Sequence, residues 1–259
     1  MNTVAPRNLD APHPEPITRA PAPWTRRTVL RQRWTELGFF HWPMPPDAVQ
    51  QLLPGGLRVD VFDGQAWVGL IPFEMRDVRF GNGPVVPVLG SFIEINVRTY
   101  VVDAAGRRGV WFFSLDVPRS PIVGVARSFF ALPYCWASAS HEVDQDRHRY
   151  RMRRRWPHRD RAVADIAFEV GDAIERPDVL DDFLTARWAL MTRRGSRLAY
   201  GAVHHPAWPL HEAGDVRIDG DVVEAAGLPR PVGAPHARYS PGTEVSIGRL
   251  DWMPRREAR

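Results

Sequence analysis

Three side chains that could act together chemically alternate within residues 91–101 of the sequence. They are Glu94, Asn96 and Arg98, an acid, an amide and a guanidinium in one row. A carboxylate can transfer protons when its pKa lies near the working pH. A guanidinium can bind a carboxylate or a carbonyl oxygen through directed hydrogen bonds. The row therefore points to a site for a small anionic or carbonyl-bearing molecule.

The same stretch predicts the strand that positions these groups. The odd-numbered residues from 93 to 101 are mostly apolar. They alternate with the polar row, which is bracketed by Phe92 and Tyr100. Such alternation predicts a β-strand with two different faces. The polar face fits the solvated side of an antiparallel sheet, with Glu94 and Arg98 as a weak surface pair. It fits equally the inner wall of a β-barrel that lines a ligand cavity.

Several classes of enzyme are excluded by what the sequence lacks. It contains no lysine, so all 34 basic residues are arginine, and neither a lysine Schiff base nor a P-loop lysine can form. The patterns G-x-S-x-G, H-E-x-x-H and C-x-x-C and the Rossmann glycine pattern are also absent. The single cysteine, Cys135, excludes an internal disulfide and is expected to be a small buried apolar residue.

Histidines do not suggest a metal centre. His41, His204, His205, His211 and His236 have no spacing typical of a zinc site. The adjacent residues His204 and His205 would point to opposite faces of a strand, so both could not easily bind one metal ion. We therefore predict neither a metal nor a cofactor.

Charge and hydropathy limit the range of partners. The chain has 259 residues, a formal net charge of +4 and 44% hydrophobic residues, with no apolar run long enough for a membrane helix. No apolar leader opens the sequence, so we expect a cytoplasmic protein without membrane contact. Arginines at 147–161 alternate with other residues, which favours an edge strand with an arginine-rich solvent face over a nucleic-acid site.

One domain is expected after a short tail. Residues 1–23 are rich in proline and alanine and predict a disordered segment, whereas residues 24–254 show no repeat and no break in composition. Hairpin and strand patterns dominate, so we predict a mostly β, largely antiparallel fold. Short helices are predicted at 47–53, 120–130, 177–191 and 221–226.

Several motifs, taken in order, resemble one family. HWPMPPDAVQQLLPGGLRVDVFDGQAWVGLIPF, FIEINVRTYV, GVWFFSLD, ARSFFALPY, HHPAWPL and ARYSPGTEV are similar to the YqjF-like family of unknown function, in the acetoacetate decarboxylase-like superfamily. The resemblance covers residues 24–252. It implies a partly closed antiparallel or mixed β-barrel, with a few short peripheral helices around a central cavity.

The resemblance also implies positions for the catalytic groups of the decarboxylases, a glutamate on a strand and a lysine after a short helix. FIEINV matches the glutamate strand, so Glu94 is the corresponding residue. ARSFFALPYCWA matches the segment that carries the lysine. Tyr134, Cys135 and Trp136 stand near that place, and none of them can form an imine.

We therefore predict a small-molecule enzyme or degenerate enzyme without Schiff-base chemistry. Glu94 and Tyr134 are the predicted catalytic residues, and a lyase-like decarboxylation, dehydration or aldol-type step is compatible with them. Two alternatives stay open. The protein could bind a small molecule in the same cavity without catalysis, or it could be an interaction module that uses the arginines of residues 147–161 as its contact surface. A homo-oligomer is also compatible with the sequence. The predicted ligand-binding residues are Arg98, Asn96, Phe92, Tyr100, His41, Trp136, His205 and His236.

Overall fold

Strands make up most of the architecture. The structure, a computed structural model, describes residues 12–87, 90–118, 130–157 and 162–254. The strands are β1 (Thr28–Met44), β2 (Leu57–Val59), β3 (Val61–Phe62), β4 (Gln65–Phe80), β5 (Phe92–Asp103), β6 (Arg108–Val117), β7 (Tyr134–Asp144), β8 (Arg147–Trp156), β9 (Val163–Ala173), β10 (Ala189–Arg194), β11 (Arg197–His204), β12 (His211–Gly220) and β13 (His236–Trp252).

Hydrogen bonds join the strands into two circuits that share one wall. The wall consists of β6, β5, β4, β1 and β13, in that order. The pair β10–β11 connects β6 back to β13 and completes a smaller circuit. The series β7, β8, β9 and β12 makes the same connection in a larger circuit. The pairs β6–β7 and β6–β10 are parallel, so the sheet is mixed. The strands form a partly closed ring, as predicted.

Apolar cores on both sides of the shared wall explain why its strands are buried on both faces. One core fills the larger circuit and includes Ile95 and Val97 of β5. A second core, which includes Phe112 and Leu190, lies in the smaller circuit. The apolar face of β5 therefore packs against the first core, and the face that carries Glu94, Asn96 and Arg98 is buried as well. A solvated polar row, one of the two alternatives for β5, is excluded.

Short helices close gaps between strands. The helix Pro46–Gln50 has proline in its first turn, as predicted, and the 3₁₀ helix Glu224–Ala226 ends at Gly227, whose φ of 87° suits glycine. The helix Val179–Thr185 begins with a capping box, in which the side chains of Asp178 and Asp181 accept each other's backbone N–H groups.

Two predictions about regular structure were wrong. The helix predicted at 177–191 ends at Thr185, because Ala189–Arg194 pairs with β6 and β11 as β10 and this pairing overrides the helical periodicity. The arginine-rich strand β8 is not an edge strand, since it pairs with both β7 and β9. The helix predicted at 120–130 falls almost wholly outside the described residues.

The arginine-rich face of β8 is nevertheless exposed and matched by acids. Arg147, Arg149 and Arg151 form salt bridges with Glu169, Asp165 and Glu142, respectively. This pairing reduces the free positive charge of the face. In the parts of the chain that the structure describes, none of the helices has the length and apolar character needed to span a membrane.

Part of the predicted tail contacts the strands. The backbone N–H of Glu15 donates to Gly106 O at 2.9 Å, and its carboxylate accepts from the Arg108 N–H at 2.8 Å. Thr18 O accepts from Trp188 Nε1 at 3.1 Å. Residues 12–20 therefore lie along the end of the smaller circuit, whereas the boundary at residue 23 stays a prediction.

Candidate functional site

An internal cavity of about 70 Å³ lies within the smaller circuit. Its wall is mostly apolar, with a few polar side chains that converge on it, an arrangement typical of small-molecule sites. Wider depressions of about 450 to 510 Å³ on the outer surface are lined mostly by exposed or half-buried residues. The titratable residues that line the cavity are Glu94, Arg98, Tyr134, Arg187 and His205.

Glu94 is buried in the cavity wall and held by two donors. Its Oε1 accepts a hydrogen bond from Asn96 Nδ2 at 3.3 Å, and its Oε2 accepts one from the Tyr134 hydroxyl at 3.1 Å. Burial raises the pKa of Glu94 to about 7, although both hydrogen bonds oppose this shift. A carboxyl group with such a pKa can accept or release a proton near neutral pH.

Arg98 is a buried cation that has no partner acid among the described residues. Its side chain lies on the polar face of β5, and the residue is 6% exposed. Its Nη2 makes only long hydrogen bonds to neutral oxygens, at 3.4 Å to the Tyr100 hydroxyl and 3.5 Å to Leu184 O. Its Nε has no partner among the described residues, and no carboxylate in them forms a salt bridge with it. An unpaired buried guanidinium is costly unless an anion joins it.

Tyr100 and His41 form a fixed layer beside Arg98. The Tyr100 hydroxyl donates to Leu184 O at 2.7 Å, so the His41 Nε2 atom, 2.7 Å from the same hydroxyl, must be the donor of that contact. His41 is neutral, because burial first and then the charge of Arg98 hold its pKa well below its usual range. Neither residue lines the cavity. Tyr100 and His41, which were predicted to bind the ligand, instead pack behind Arg98 and support it.

His205, one of the predicted ligand-binding residues, lines the cavity. Its Nδ1 lies 2.6 Å from Pro206 O, and its ring packs between Trp188 and Trp208 at 4.7 and 4.6 Å. Burial lowers the pKa of His205 to about 4. The ring is therefore neutral near pH 7 and adds no positive charge to those of the two arginines in the cavity wall.

Three predicted site residues lie elsewhere. Phe92 begins β5 and packs among apolar side chains beyond the cavity wall. Trp136 is 37% exposed and lies against Arg155, because it alternates along β7 with the buried residues Cys135 and Ala137. His236 bonds Asp181 at 2.8 Å and holds the cap of the Val179–Thr185 helix. Asn96 supports Glu94 from beside the cavity.

Arg187 belongs to the site and was missed from the sequence. It follows the Val179–Thr185 helix, lines the cavity and forms a buried salt bridge with Asp60 at 2.7 Å. Residue 187 lies within residues 177–191, which the periodicity predicted to be one long helix. An arginine on such a helix is expected to be exposed. An arginine among the apolar residues 183–191 was the available signal.

A third buried arginine, Arg154, lies near Glu94 and has a partner. Arg154 of β8 donates from Nε and Nη2 to the two carboxylate oxygens of Asp116, at 2.7 and 2.8 Å. Both side chains are fully or almost fully buried. The charge of Asp116 contributes to the raised pKa of Glu94. In the described part of the chain, no group of three His, Cys, Asp or Glu side chains is placed to hold a metal ion.

Comparison with known proteins establishes the family. The model of the DUF2071 family, described as an uncharacterized conserved protein, matches residues 31–244. The chain belongs to this family. It is also 33% identical over 219 residues to the uncharacterized protein YqjF of Bacillus subtilis (strain 168), covering 84% of this chain and 89% of that protein. The resemblance read from the sequence motifs is thereby confirmed.

Solved structures with the same fold come from the acetoacetate decarboxylase-like group. An acetoacetate decarboxylase-like enzyme from Sphingomonas wittichii RW1 superposes with a TM-score of 0.63 at 16% identity, over 88% of this chain and 93% of that one. Acetoacetate decarboxylase from Legionella pneumophila gives 0.61 at 13% identity over 98% of both chains. The enduracididine biosynthesis enzyme MppR complexed with pyruvate gives 0.61 at 14% identity, over 87% and 91%. At these identities the likeness concerns the fold.

Proposed function

We propose that this DUF2071 protein binds a short carboxylate-bearing metabolite in the cavity and exchanges a proton with it. The observation that carries the proposal is the buried guanidinium of Arg98, which has no acid partner among the described residues. A ligand carboxylate would supply the missing anion through charge-assisted hydrogen bonds.

Glu94 supplies the proton chemistry in this proposal. With its pKa raised to about 7, it takes a proton from the carbon next to the ligand carbonyl and later returns it. The Tyr134 hydroxyl, now bonded to Glu94, stabilises the carboxylate form of Glu94 by donating to it. Because the chain has no lysine, the electron pair left on carbon must be held as an enolate and not through an imine. Arg98 is the cation placed to stabilise its oxygen.

Fold relatives support the class of ligand. MppR has been seen with pyruvate, and two other relatives are an acetoacetate decarboxylase and a protein similar to it. Pyruvate is a suitable probe, because it is a short carboxylate with a carbonyl group and exchangeable methyl protons. A decarboxylation, a dehydration or an aldol-type step would each begin or end with such an enolate.

Two measurements test the proposal. Thermal melts with pyruvate should show stabilisation of the wild type and none of Arg98→Met, whereas Arg153→Met, a change at an exposed arginine of β8, should respond like the wild type. In D₂O, proton NMR should show loss of the pyruvate methyl signal with the wild type, at a rate at least about a hundredfold above that of Glu94→Gln.

The outcomes separate the alternatives. Binding without exchange would identify a non-catalytic binding protein that uses the same cavity. Equal stabilisation of the wild type and Arg98→Met would exclude Arg98 as the binding residue, and no stabilisation by any short keto acid would refute the proposal.

A further inference from the structure

Arg187 is fixed on three sides. Its Nε donates to Phe183 O at 2.8 Å, and its Nη1 donates to Asp60 Oδ2 at 2.7 Å. The guanidinium lies between two rings, with its Cζ 4.5 Å from the centroid of Tyr100 and 4.3 Å from that of Phe183. The side chain is 3% exposed. A group held this firmly is already organised for a partner.

One arm of this guanidinium has no partner. Nη2 of Arg187 is buried and makes no hydrogen bond among the described residues, and the residue lines the same cavity as Arg98. Both guanidinium groups lie near the Tyr100 ring, since the Cζ of Arg98 is 5.8 Å from its centroid. A buried N–H group without an acceptor costs free energy that a ligand oxygen would recover.

The charges around the cavity leave a positive excess. Asp60 is shared, because it bonds Arg108 as well as Arg187. Among the described residues, the guanidinium groups of Arg98, Arg187 and Arg108 are therefore matched by one permanent carboxylate, that of Asp60, which bonds Arg187 and Arg108. Burial favours the neutral form of Glu94. One ligand carboxylate on Arg98 would still leave Nη2 of Arg187 without an acceptor.

We infer that Arg187 is a second anion-binding residue and that the preferred ligand is a short dicarboxylate. This inference rests on the proposed function and adds the second anionic group of the ligand. Arg98 binds one carboxylate, and Nη2 of Arg187 binds an oxygen of the other. The small cavity limits the ligand to a short chain between its two carboxylates, as in malonate.

Calorimetric titration of the full chain with malonate and propionate tests the inference, because these acids share a three-carbon chain and differ in one carboxylate. The wild type should bind malonate at least about tenfold more tightly than propionate. Arg187→Met should reduce the malonate affinity to that of propionate and leave the propionate affinity unchanged within about twofold. Arg187→Lys keeps a cation opposite Asp60 but lacks the second arm, so it should fold and still lose most of the preference.

Arg108→Met is the matched control. It removes the other partner of Asp60, and Arg108 does not line the cavity, so the preference for malonate should persist. Equal affinities of the wild type for the two acids would overturn the inference and leave the proposed function standing. A preference that survives in both Arg187 variants, or that Arg108→Met also removes, would overturn it as well. Binding of neither acid by the wild type would count against the proposed function itself.

Discussion

The Tyr134 hydroxyl donates to Glu94 Oε2 at 3.1 Å and so joins the start of β7 to the polar face of β5. Both residues are buried, and burial raises both pKa values, that of Glu94 to about 7 and that of Tyr134 well above its usual range. Tyr134 therefore keeps its proton, and Glu94 is the member of the pair that titrates near neutral pH. In the proposed reaction this difference makes Tyr134 the hydrogen-bond donor and Glu94 the proton-transfer group.

The raised pKa of Glu94 predicts a pH-dependent loss of stability. The unfolded chain releases this proton at the ordinary glutamate value of about 4.5, whereas the folded chain holds it to about 7. Stability from this group is thus complete below pH 4.5 and falls by about 3 kcal/mol as the pH rises to 7. Glu94→Gln should not show this pH-dependent loss of stability. The free energy of unfolding of the variant minus that of the wild type should therefore increase between pH 4.5 and pH 7.

Urea titrations at several pH values provide the measurement. The comparison of the two proteins is necessary because His205 acts in the opposite direction. Its folded pKa of about 4 removes stability as the pH falls below 6.5. A difference between wild type and Glu94→Gln that does not change from pH 4.5 to 7.5 would show that Glu94 is ionised throughout.

Arg98→Met should leave the fold intact. Because Arg98 has no acid partner in the described structure, its removal strands no carboxylate and relieves a buried charge. The free energy of unfolding without ligand should be unchanged or higher, by up to about 2 kcal/mol. Denaturant melts measure this directly. A loss of more than about 2 kcal/mol would assign Arg98 a structural role instead of a ligand-binding one.

Arg154→Met should have the opposite effect, although Arg154 is equally buried. It would leave the carboxylate of Asp116 buried without its bidentate partner, at a cost of about 3 to 5 kcal/mol. The double variant Asp116→Leu, Arg154→Met should recover much of this loss, because both charges are then removed. Melts of the two variants check the prediction. A double variant that is at least as destabilised as Arg154→Met alone would contradict it.

The sequence predicted the strand and the polar row of the site because alternation in β5 is strict, and it placed Glu94, Arg98, Tyr134 and His205 among the site residues. It could not decide whether the row was solvated, since that depends on a second core beyond the shared wall. Trp136 was misplaced because it lies in β7 between the buried residues Cys135 and Ala137, and its side chain therefore points to the exposed face of that strand.

Partners distant in sequence were the other part that could not be predicted. The contact of His236 with Asp181 and that of Arg187 with Asp60 join segments 55 and 127 residues apart, and no local pattern marks such pairs. The helical periodicity of residues 177–191 concealed Arg187, because β pairing with β6 and β11 decides that segment.

The last prediction concerns residues 12–20. Composition alone predicts that deletion of residues 1–20 leaves the melting temperature unchanged. The structure reverses this expectation, because Glu15, Thr18 and Arg19 form hydrogen bonds with Arg108, Trp188 and Asp182, and Ile17 packs against the core of the smaller circuit. Loss of these contacts should lower the melting temperature by about 3 to 8 °C.

Deletion of residues 1–11 alone is the control and should change the melting temperature by less than about 1 °C. Differential scanning calorimetry of the two truncated chains separates the segments. If the deletion to residue 20 melts like the wild type, the contacts of residues 12–20 contribute nothing measurable, and the tail behaves as its composition suggests. A loss already complete on removal of residues 1–11 would place the stabilising contacts before Pro12.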